Sequence, residues 1–152
     1  MTKRLLFLSH APSPNTQRIE LAVCEGMAQV TGVSALVAPP LGTHAQDVLD
    51  CDGLILLTTE NIGYMAGLTK DFFDRSYNEL LDQRPGLPVV TLIRAGLDGT
   101  GTKRALTGIY SGLGWRSVAE ISVLQGAWSD DFIPLARDTG QAMAEGLAAG
   151  IF

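Results

Sequence analysis

The sequence predicts an α/β protein in which a five-stranded parallel sheet lies between two layers of helices. Short apolar runs alternate with segments of helical periodicity along the whole chain. The most apolar run, residues 53–59, shows no alternation of polar and apolar side chains, which is typical of a strand covered on both faces. Strands and helices in this order, joined by right-handed crossovers, form a three-layer doubly wound sandwich.

The first half of the chain supplies three of the five strands. Residues 5–8 and 33–38 are apolar runs, and Pro39-Pro40 closes the second. A helix between these two runs is indicated by apolar side chains three or four positions apart: Ile19, Val23, Met27 and Val30. A polar stretch with room for a short helix then leads to residues 53–59, which we expect at the centre of the sheet.

The second half supplies three longer helices and the last two strands. We expect strands at 89–93 and 117–124, and helices at 68–81, around 102–113 and at 133–147. Gly114 reads as a helix C-cap, and Asp71 and Arg75 as an i,i+4 ion pair on a helix surface. The side chains expected to face inward are Leu68, Phe72, Phe73, Leu80 and Leu81 in the first of these helices, and Leu135, Met143 and Leu147 in the last.

Composition restricts the classes of partner. The 152 residues, 46% hydrophobic and 18% charged, fit one domain spanning 1–152. A net charge of −5 and the absence of a Lys/Arg run argue against nucleic acid or an anionic membrane surface. No segment approaches the length of a membrane span, and Cys24 and Cys51 are too few for a zinc site. We therefore expect a cytoplasmic protein without metal.

The turn after the first strand, SHAPSPNT at residues 9–16, has the residues of an anion-binding helix start. Ser13 is a good N-cap and Pro14 suits the first helical position, so that the N–H groups of residues 15–17 lack helical partners. With the hydroxyls of Ser9, Ser13 and Thr16, these N–H groups would form a cup for phosphate without any lysine. The alternative is a plain N-cap with no ligand.

Two common nucleotide motifs are absent from this turn. It lacks GxGxxG, which counts against a dinucleotide-binding domain, and GxxxxGK[ST], which counts against a nucleoside triphosphatase. Residues 96–103 superficially resemble the second motif. However, no glycine directly precedes Lys103, and the segment follows the fourth strand instead of the first.

Two segments carry a resemblance to a known family. SHAPSPNT is similar to the S-P-R-x-x-S-N-T phosphate loop of NAD(P)H-dependent FMN reductases, and also to the T-x-T-G-N-T loop of flavodoxins. Residues 58–75, TTENIGYMAGLTKDFFDR, resemble the P-x-Y-x-x-x-x-x-G-x-L-K-x-x-x-D-R pattern of the same reductases. The matching positions are Ser9, Asn15, Thr16, Gly67, Leu68, Lys70, Asp74 and Arg75.

The resemblance implies a flavodoxin-like fold with strand order 2-1-3-4-5 and FMN at the carboxyl edge of the sheet. Carried over by position, the phosphate would be held by Ser9, Ser13, Asn15 and Thr16. The isoalloxazine ring would lie against Asn61, Ile62, Gly63 and Tyr64, and its other edge against Ala95, Gly96 and Leu97. From the residues alone, Lys70 and Arg75 read as helix-surface ion-pair partners instead of ligands.

The function that the resemblance implies is that of an FMN oxidoreductase. It would pass hydride from NAD(P)H through the flavin to a small acceptor such as a quinone, a free flavin or an azo compound, with no acid–base residue required. Related reductases are often dimers, so that a homodimer is expected. Two alternatives stay open: an electron-transfer flavodoxin, and a binding or regulatory domain that keeps the fold without flavin.

Overall fold

The computed structural model describes all residues from Met1 to Phe152. Its strands are β1 (Lys3–Ser9), β2 (Val33–Ala38), β3 (Gly53–Asn61), β4 (Tyr64–Met65), β5 (Pro88–Ala95), β6 (Arg116–Ser117) and β7 (Ser122–Gln125). Its helices are α1 (Pro14–Ala28), α2 (Ala45–Leu49), α3 (Gly67–Leu80), α4 (Thr100–Leu113) and α5 (Phe132–Ala148). The predicted alternation of strands and helices is confirmed.

The main sheet is parallel and follows the predicted order. Its strands run β2-β1-β3-β5, and β6 and β7 both pair with β5 at the fifth position. Counted by position, this is the order 2-1-3-4-5. One strand was not foreseen: β4 pairs antiparallel with the end of β3, so that residues expected to form a loop form a hairpin.

The fifth position holds two short strands instead of the continuous strand predicted at 117–124. The N–H of Val118 still donates to the carbonyl of Val89 in β5 at 3.1 Å, but residues 119–121 leave the ladder between β6 and β7. In a continuous strand Glu120 would share a face with Val118 and Leu124, which pack towards α5. Burying its carboxylate there would be costly. The break leaves Glu120 in solvent, 3.8 Å from the ammonium group of Lys103.

The core forms two layers because side chains alternate along the central strands. Leu6 and Leu8 contribute to the layer under α3 and α4, whereas Leu5 and Phe7 contribute to the layer under α1 and α5. In β3 the residues from Leu54 to Thr58 are all buried. The prediction of a central strand covered on both faces is confirmed.

Helices α1 and α5 pack backbone to backbone through two glycines. A Cβ on Gly26 would lie 1.9 Å from the carbonyl oxygen of Arg137, and one on Gly140 would lie 2.3 Å from that of Val23. This contact sets the rotation of α5, whose buried positions are Ala136, Gly140, Met143, Ala144, Gly146 and Leu147. Leu135 is therefore 41% exposed, and its predicted inward position was wrong.

A similar correction applies to α3. Phe72, Phe73 and Leu80 are buried as predicted, but Leu68 and Leu81 are partly exposed. Leu68 lies in the first turn, and Leu81 is the C-cap, outside the helix. Helical spacing therefore identified the buried stripe but overestimated its length at both ends.

The fold contains no membrane-spanning helix and no cluster of metal ligands, and its two thiols are protonated. No helix combines the length and the apolar character that crossing a bilayer requires. No three His, Cys, Asp or Glu side chains cluster as metal ligands do. Burial raises the pKa of the Cys51 thiol to about 11, and burial also raises the pKa of Cys24, so that both stay protonated at neutral pH.

Candidate functional site

The carboxyl ends of β1, β3 and β5 meet at one edge of the sheet. The three strands are adjacent and parallel, so the loops that follow them begin side by side. The N–H of His10 donates to the carbonyl of Leu57 at 2.9 Å, which ties the first loop to β3. The strand order reverses direction between β1 and β3, and ligands of doubly wound sheets bind at such a position.

The helix start at this edge is capped as predicted. Ser13 is the N-cap, in extended conformation, and Pro14 is the first helical residue. The N–H of Thr16 donates to Ser13 Oγ at 3.2 Å, and the N–H of Ser13 donates to Thr16 Oγ1 at 2.9 Å. This reciprocal pair is a capping box, which stabilises the start of α1.

The capping box leaves fewer free donors than the sequence suggested. The N–H of Thr16 is capped, and that of Gln17 donates to the carbonyl of Ser13 at 2.9 Å. Of the three N–H groups predicted to be free, only that of Asn15 lacks a protein acceptor. The N–H of Ala11 is free as well, and was not predicted.

The donor set still fits a phosphate. One short turn at the start of the 15-residue helix α1 contains four possible donors: the main-chain N–H groups of Ala11 and Asn15, the side-chain amide of Asn15 and the hydroxyl of Ser13. This is the positive end of the helix dipole, and the first helical turn has no acidic residue that would repel an anion. The Ser13 and Thr16 hydroxyls are 2.9 Å apart, and the Ser13 proton can turn towards an anion at the cost of one hydrogen bond.

Ser9 and His10 contribute less than their positions suggest. Ser9 is buried, and its hydroxyl donates to Glu20 Oε2 at 2.8 Å. Ser9 and Glu20 line a cleft of about 470 Å³ that opens towards β2. Burial lowers the pKa of His10, so that its imidazole is largely neutral at pH 7 and brings little positive charge to the turn.

The hairpin after β3 has an unusual turn. Asn61 pairs with Tyr64, and the two residues between them both have positive φ, 53° at Ile62 and 73° at Gly63. This is the backbone of a type I′ turn, for which Asn-Gly is the preferred sequence. A β-branched residue at positive φ is rare, and the Ile62 side chain is fully exposed. Strained backbone residues are concentrated at functional sites, so the strained and exposed Ile62 makes this hairpin a candidate part of the site.

Helix α4 holds the hairpin in place. A Cβ on Gly101 would lie 2.0 Å from the carbonyl oxygen of Gly63, so the two backbones touch. Next to this contact, the buried Thr102 hydroxyl donates to Glu60 Oε2 at 3.3 Å. This contact between α4 and the hairpin was not predicted from the sequence. The only signal for it in the sequence is G-T-G-T at residues 99–102, part of the segment that superficially resembles a P-loop.

The third segment divides between strand and loop. Ala95 is the buried last residue of β5, and its carbonyl accepts from the N–H of Gly126 at 2.8 Å. Gly96 has open space where a Cβ would be, and Leu97 is largely exposed. None of the clefts is lined by residues 61–64 or 95–97. The edge is thus an open surface bearing exposed apolar side chains: Ile62, Tyr64 and Leu97.

Two charged residues of the second motif have structural partners. Lys70 pairs with Asp74, and Arg75 pairs with Asp71 at 2.7 Å. Arg75 also donates to the carbonyls of Thr43 and Pro40, at 3.0 and 2.8 Å. The interpretation of Lys70 and Arg75 as ion-pair partners is confirmed.

No family model matches the sequence, and no curated protein matches it either. Solved structures do match along nearly the whole chain. Flavodoxin 1 from Bacillus cereus is 15% identical, with a TM-score of 0.77 over 93% of this chain and 97% of that one.

The chain has a flavodoxin-like fold. A WrbA-like flavodoxin protein from Agrobacterium tumefaciens is 18% identical, with a TM-score of 0.76 over 98% of this chain and 99% of that one. An NADH:FMN oxidoreductase in its apo form is 15% identical, with a TM-score of 0.72 over 95% and 90% of the two chains. The fold implied by the two sequence motifs is confirmed. At these identities the likeness does not extend to individual flavin-binding residues, which stay predictions.

Proposed function

We propose that this flavodoxin-like protein binds FMN at the carboxyl edge of its sheet and acts as an NAD(P)H-dependent oxidoreductase on a small acceptor. One observation carries the proposal: free main-chain donors at the start of α1 lie beside an exposed apolar hairpin at the point where strand order reverses. A phosphate and a flat, largely apolar ring need these two surfaces side by side.

The start of α1 would hold the phosphate. The N–H groups of Ala11 and Asn15 and the hydroxyl of Ser13 are its donors. Because the capping box already uses Thr16, we assign Thr16 the role of shaping the turn. Ser9 would join the donors only by giving up its hydrogen bond to Glu20.

The hairpin and the loop after β5 would hold the ring. The main chain of Asn61, Ile62 and Gly63 offers polar groups at its edge, and Tyr64 and Leu97 offer apolar cover that excludes water. When bound, FMN supplies the hydride and electron transfer itself, so the protein's part is to orient and shield it. The contact of Gly101 with Gly63 holds the hairpin still for this purpose.

An electron-transfer flavodoxin is the second candidate. A net charge of −5 and a pI near 4.8 suit docking to a basic redox partner. Steady-state oxidation of NADH or NADPH by the FMN-loaded protein with a quinone separates the two. Turnover supports the oxidoreductase, whereas tight FMN binding without turnover supports the carrier.

Binding is tested first, by titrating the purified protein with FMN and with riboflavin, which lacks the phosphate. We expect quenched flavin fluorescence and a shifted visible spectrum with FMN, and weaker binding of riboflavin. Failure to bind FMN would contradict the proposal and favour a flavin-free domain.

Substitution of Asn15 by Asp separates phosphate binding from folding. A carboxylate in the first turn of a helix stabilises the helix by about 0.3–1 kcal/mol, but it repels a phosphate at the same place. We expect Asn15→Asp to weaken FMN binding by at least about tenfold, which corresponds to about 1.4 kcal/mol. Riboflavin binding and the urea midpoint should not fall.

Gln83→Glu is the matched control. Gln83 is exposed, makes no side-chain hydrogen bond and precedes β5, at the opposite end of the sheet. It adds the same charge without approaching the turn, so FMN affinity should stay at the wild-type value. Equal losses in the two variants, or equal losses for FMN and riboflavin, would show that the start of α1 does not hold the phosphate.

A further inference from the structure

The free edge of β2 differs from the rest of the surface in its lack of charge. No Asp, Glu, Lys or Arg occurs between Glu25 and Asp47, the longest such interval in the chain. Strand β2 lies in this interval and has no neighbour beyond β1. Four of its six residues are exposed. Edge strands are normally protected from pairing by charges, bulges, prolines or short length.

The opposite edge of the same sheet has that protection. Its strands β6 and β7 are two and four residues long, with a break between them. Arg116 and Glu120 add charge there, and both are exposed. Strand β2 is six residues long and continuous, and only Pro39 and Pro40 limit it at one end. The lack of protection is therefore specific to the β2 edge.

The backbone of β2 presents unpaired groups along this edge. The N–H of Lys3 donates to the carbonyl of Gly32, so even-numbered residues face β1 in the parallel ladder. The N–H and C=O groups of Val33, Ala35 and Val37 consequently point outward. These three residues are symmetric about Ala35.

Both faces of the sheet carry exposed apolar side chains next to this edge. On one face Val37 lines a cleft with Leu21, and on the other Leu36 lines a cleft of about 230 Å³ with Leu6 and Cys51. The charged side chains in these two clefts come from neighbouring elements and not from β2: Glu20 in the first, and Arg4, Asp47 and Asp50 in the second. Leu21, Leu36 and Leu41 are each more than half exposed. A strand added at this edge would bury these apolar side chains in addition to forming main-chain hydrogen bonds. Burial of apolar surface would then stabilise the pairing beyond what hydrogen bonds alone contribute.

We propose that this chain forms a homodimer by antiparallel pairing of β2 with β2 of a second copy, about a two-fold axis that passes between the two Ala35 residues. In this register Ala35 faces Ala35, and Val33 faces Val37 of the other copy. Every outward N–H then meets a carbonyl. A second copy fits better than an unrelated strand because the strand is self-complementary: none of its paired residues is charged, so that two acidic molecules would meet without like charges opposed in the ladder.

The oligomeric state and the register are tested together. Sedimentation of the full chain should show a dimer that Val37→Lys converts to a monomer, because two lysines would enter the pairing. Ala35→Cys should form an intermolecular disulfide under mild oxidation, since directly paired residues lie about 5.5 Å apart between Cα atoms. Ser34→Cys is the register control, because Ser34 faces Leu36 of the other copy.

The outcomes decide the proposal independently of FMN binding. A wild-type dimer with efficient crosslinking of Ala35→Cys and little of Ser34→Cys supports it. A wild-type monomer at all concentrations, a dimer that survives Val37→Lys, or equal crosslinking of the two cysteine variants overturns it. The unmodified chain under the same oxidation shows what Cys24 and Cys51 contribute.

Discussion

Ile62 is the residue that most clearly departs from local preference. It has a positive φ in a type I′ turn, and its side chain contacts so little that it is fully exposed. The left-handed region costs an L-residue about 1–2 kcal/mol, and a β-branched one has no compensating hydrogen bond. Ile62 therefore lowers the stability of the fold, and its side chain gains no packing contacts in return. Under our proposal its role is to cover the flavin ring.

We expect Ile62→Asn to raise the free energy of unfolding by about 1 kcal/mol, because Asn-Gly is the preferred type I′ pair and no buried surface is lost. Urea unfolding measures this change. FMN affinity should fall in the same variant if the Ile62 side chain contacts the ring.

Ile151→Asn is the control for the same chemical change. Ile151 is largely exposed but has no positive φ. Its substitution should leave the unfolding free energy nearly unchanged. A wild-type midpoint for Ile62→Asn would mean that the turn is not strained.

At the scale of elements, close backbone contacts at glycines determine how helices pack against their neighbours. Gly101 brings α4 against the β3–β4 hairpin, and Gly26 and Gly140 bring α1 against α5. In each case a methyl group would overlap a carbonyl oxygen of the neighbouring element. The first contact supports the candidate site directly, because Gly63 belongs to the hairpin.

Gly101→Ala tests the contact between α4 and the hairpin. Helix propensity alone would favour alanine by about 0.5–1 kcal/mol, but the new methyl group would force the hairpin away from α4. We expect a net loss of unfolding free energy of about 1–3 kcal/mol, the usual cost of overpacking, and weaker FMN binding.

Gly108→Ala is a matched control in the same helix. No atom lies within 4 Å of its added Cβ, so only propensity acts, and stability should rise by about 0.5–1 kcal/mol. If both alanine variants were stabilised, the contact of Gly101 with Gly63 would not constrain the hairpin.

At the scale of the molecule, the two core layers are not independent. Strands β1, β3 and β5 send alternate side chains into both, so neither layer can lose its packing while the other keeps its strands. Each layer also has its own tryptophan. Trp115 is buried against Tyr110 in the first layer, and Trp128 packs against the second.

We expect both layers to unfold in one transition. In Trp128→Phe the remaining fluorescence reports Trp115, and in Trp115→Phe it reports Trp128. Within each variant the urea midpoint by fluorescence should equal the midpoint by far-UV circular dichroism. Different midpoints in either variant would show that one layer unfolds first.

Much of this protein follows from the sequence alone because it depends on local rules. Side-chain periodicity determined the strands and helices, and the unalternating run 53–59 determined which strand is central. Ser13 and Pro14 determined how α1 begins, since an N-cap needs only the next few residues. The two sequence motifs led to the fold, and solved structures confirm it.

Tertiary structure decided the features that depend on distant partners. The Ser9 hydroxyl, which the sequence left free, donates to Glu20 of α1, and the segment expected to form a loop forms a hairpin that packs against Gly101 of α4. The break before β7 and the outward position of Leu135 likewise depend on which face meets a neighbour. A sequence pattern gives the period of an element, but only the packed partner selects its register and the hydrogen bonds that remain free for a ligand.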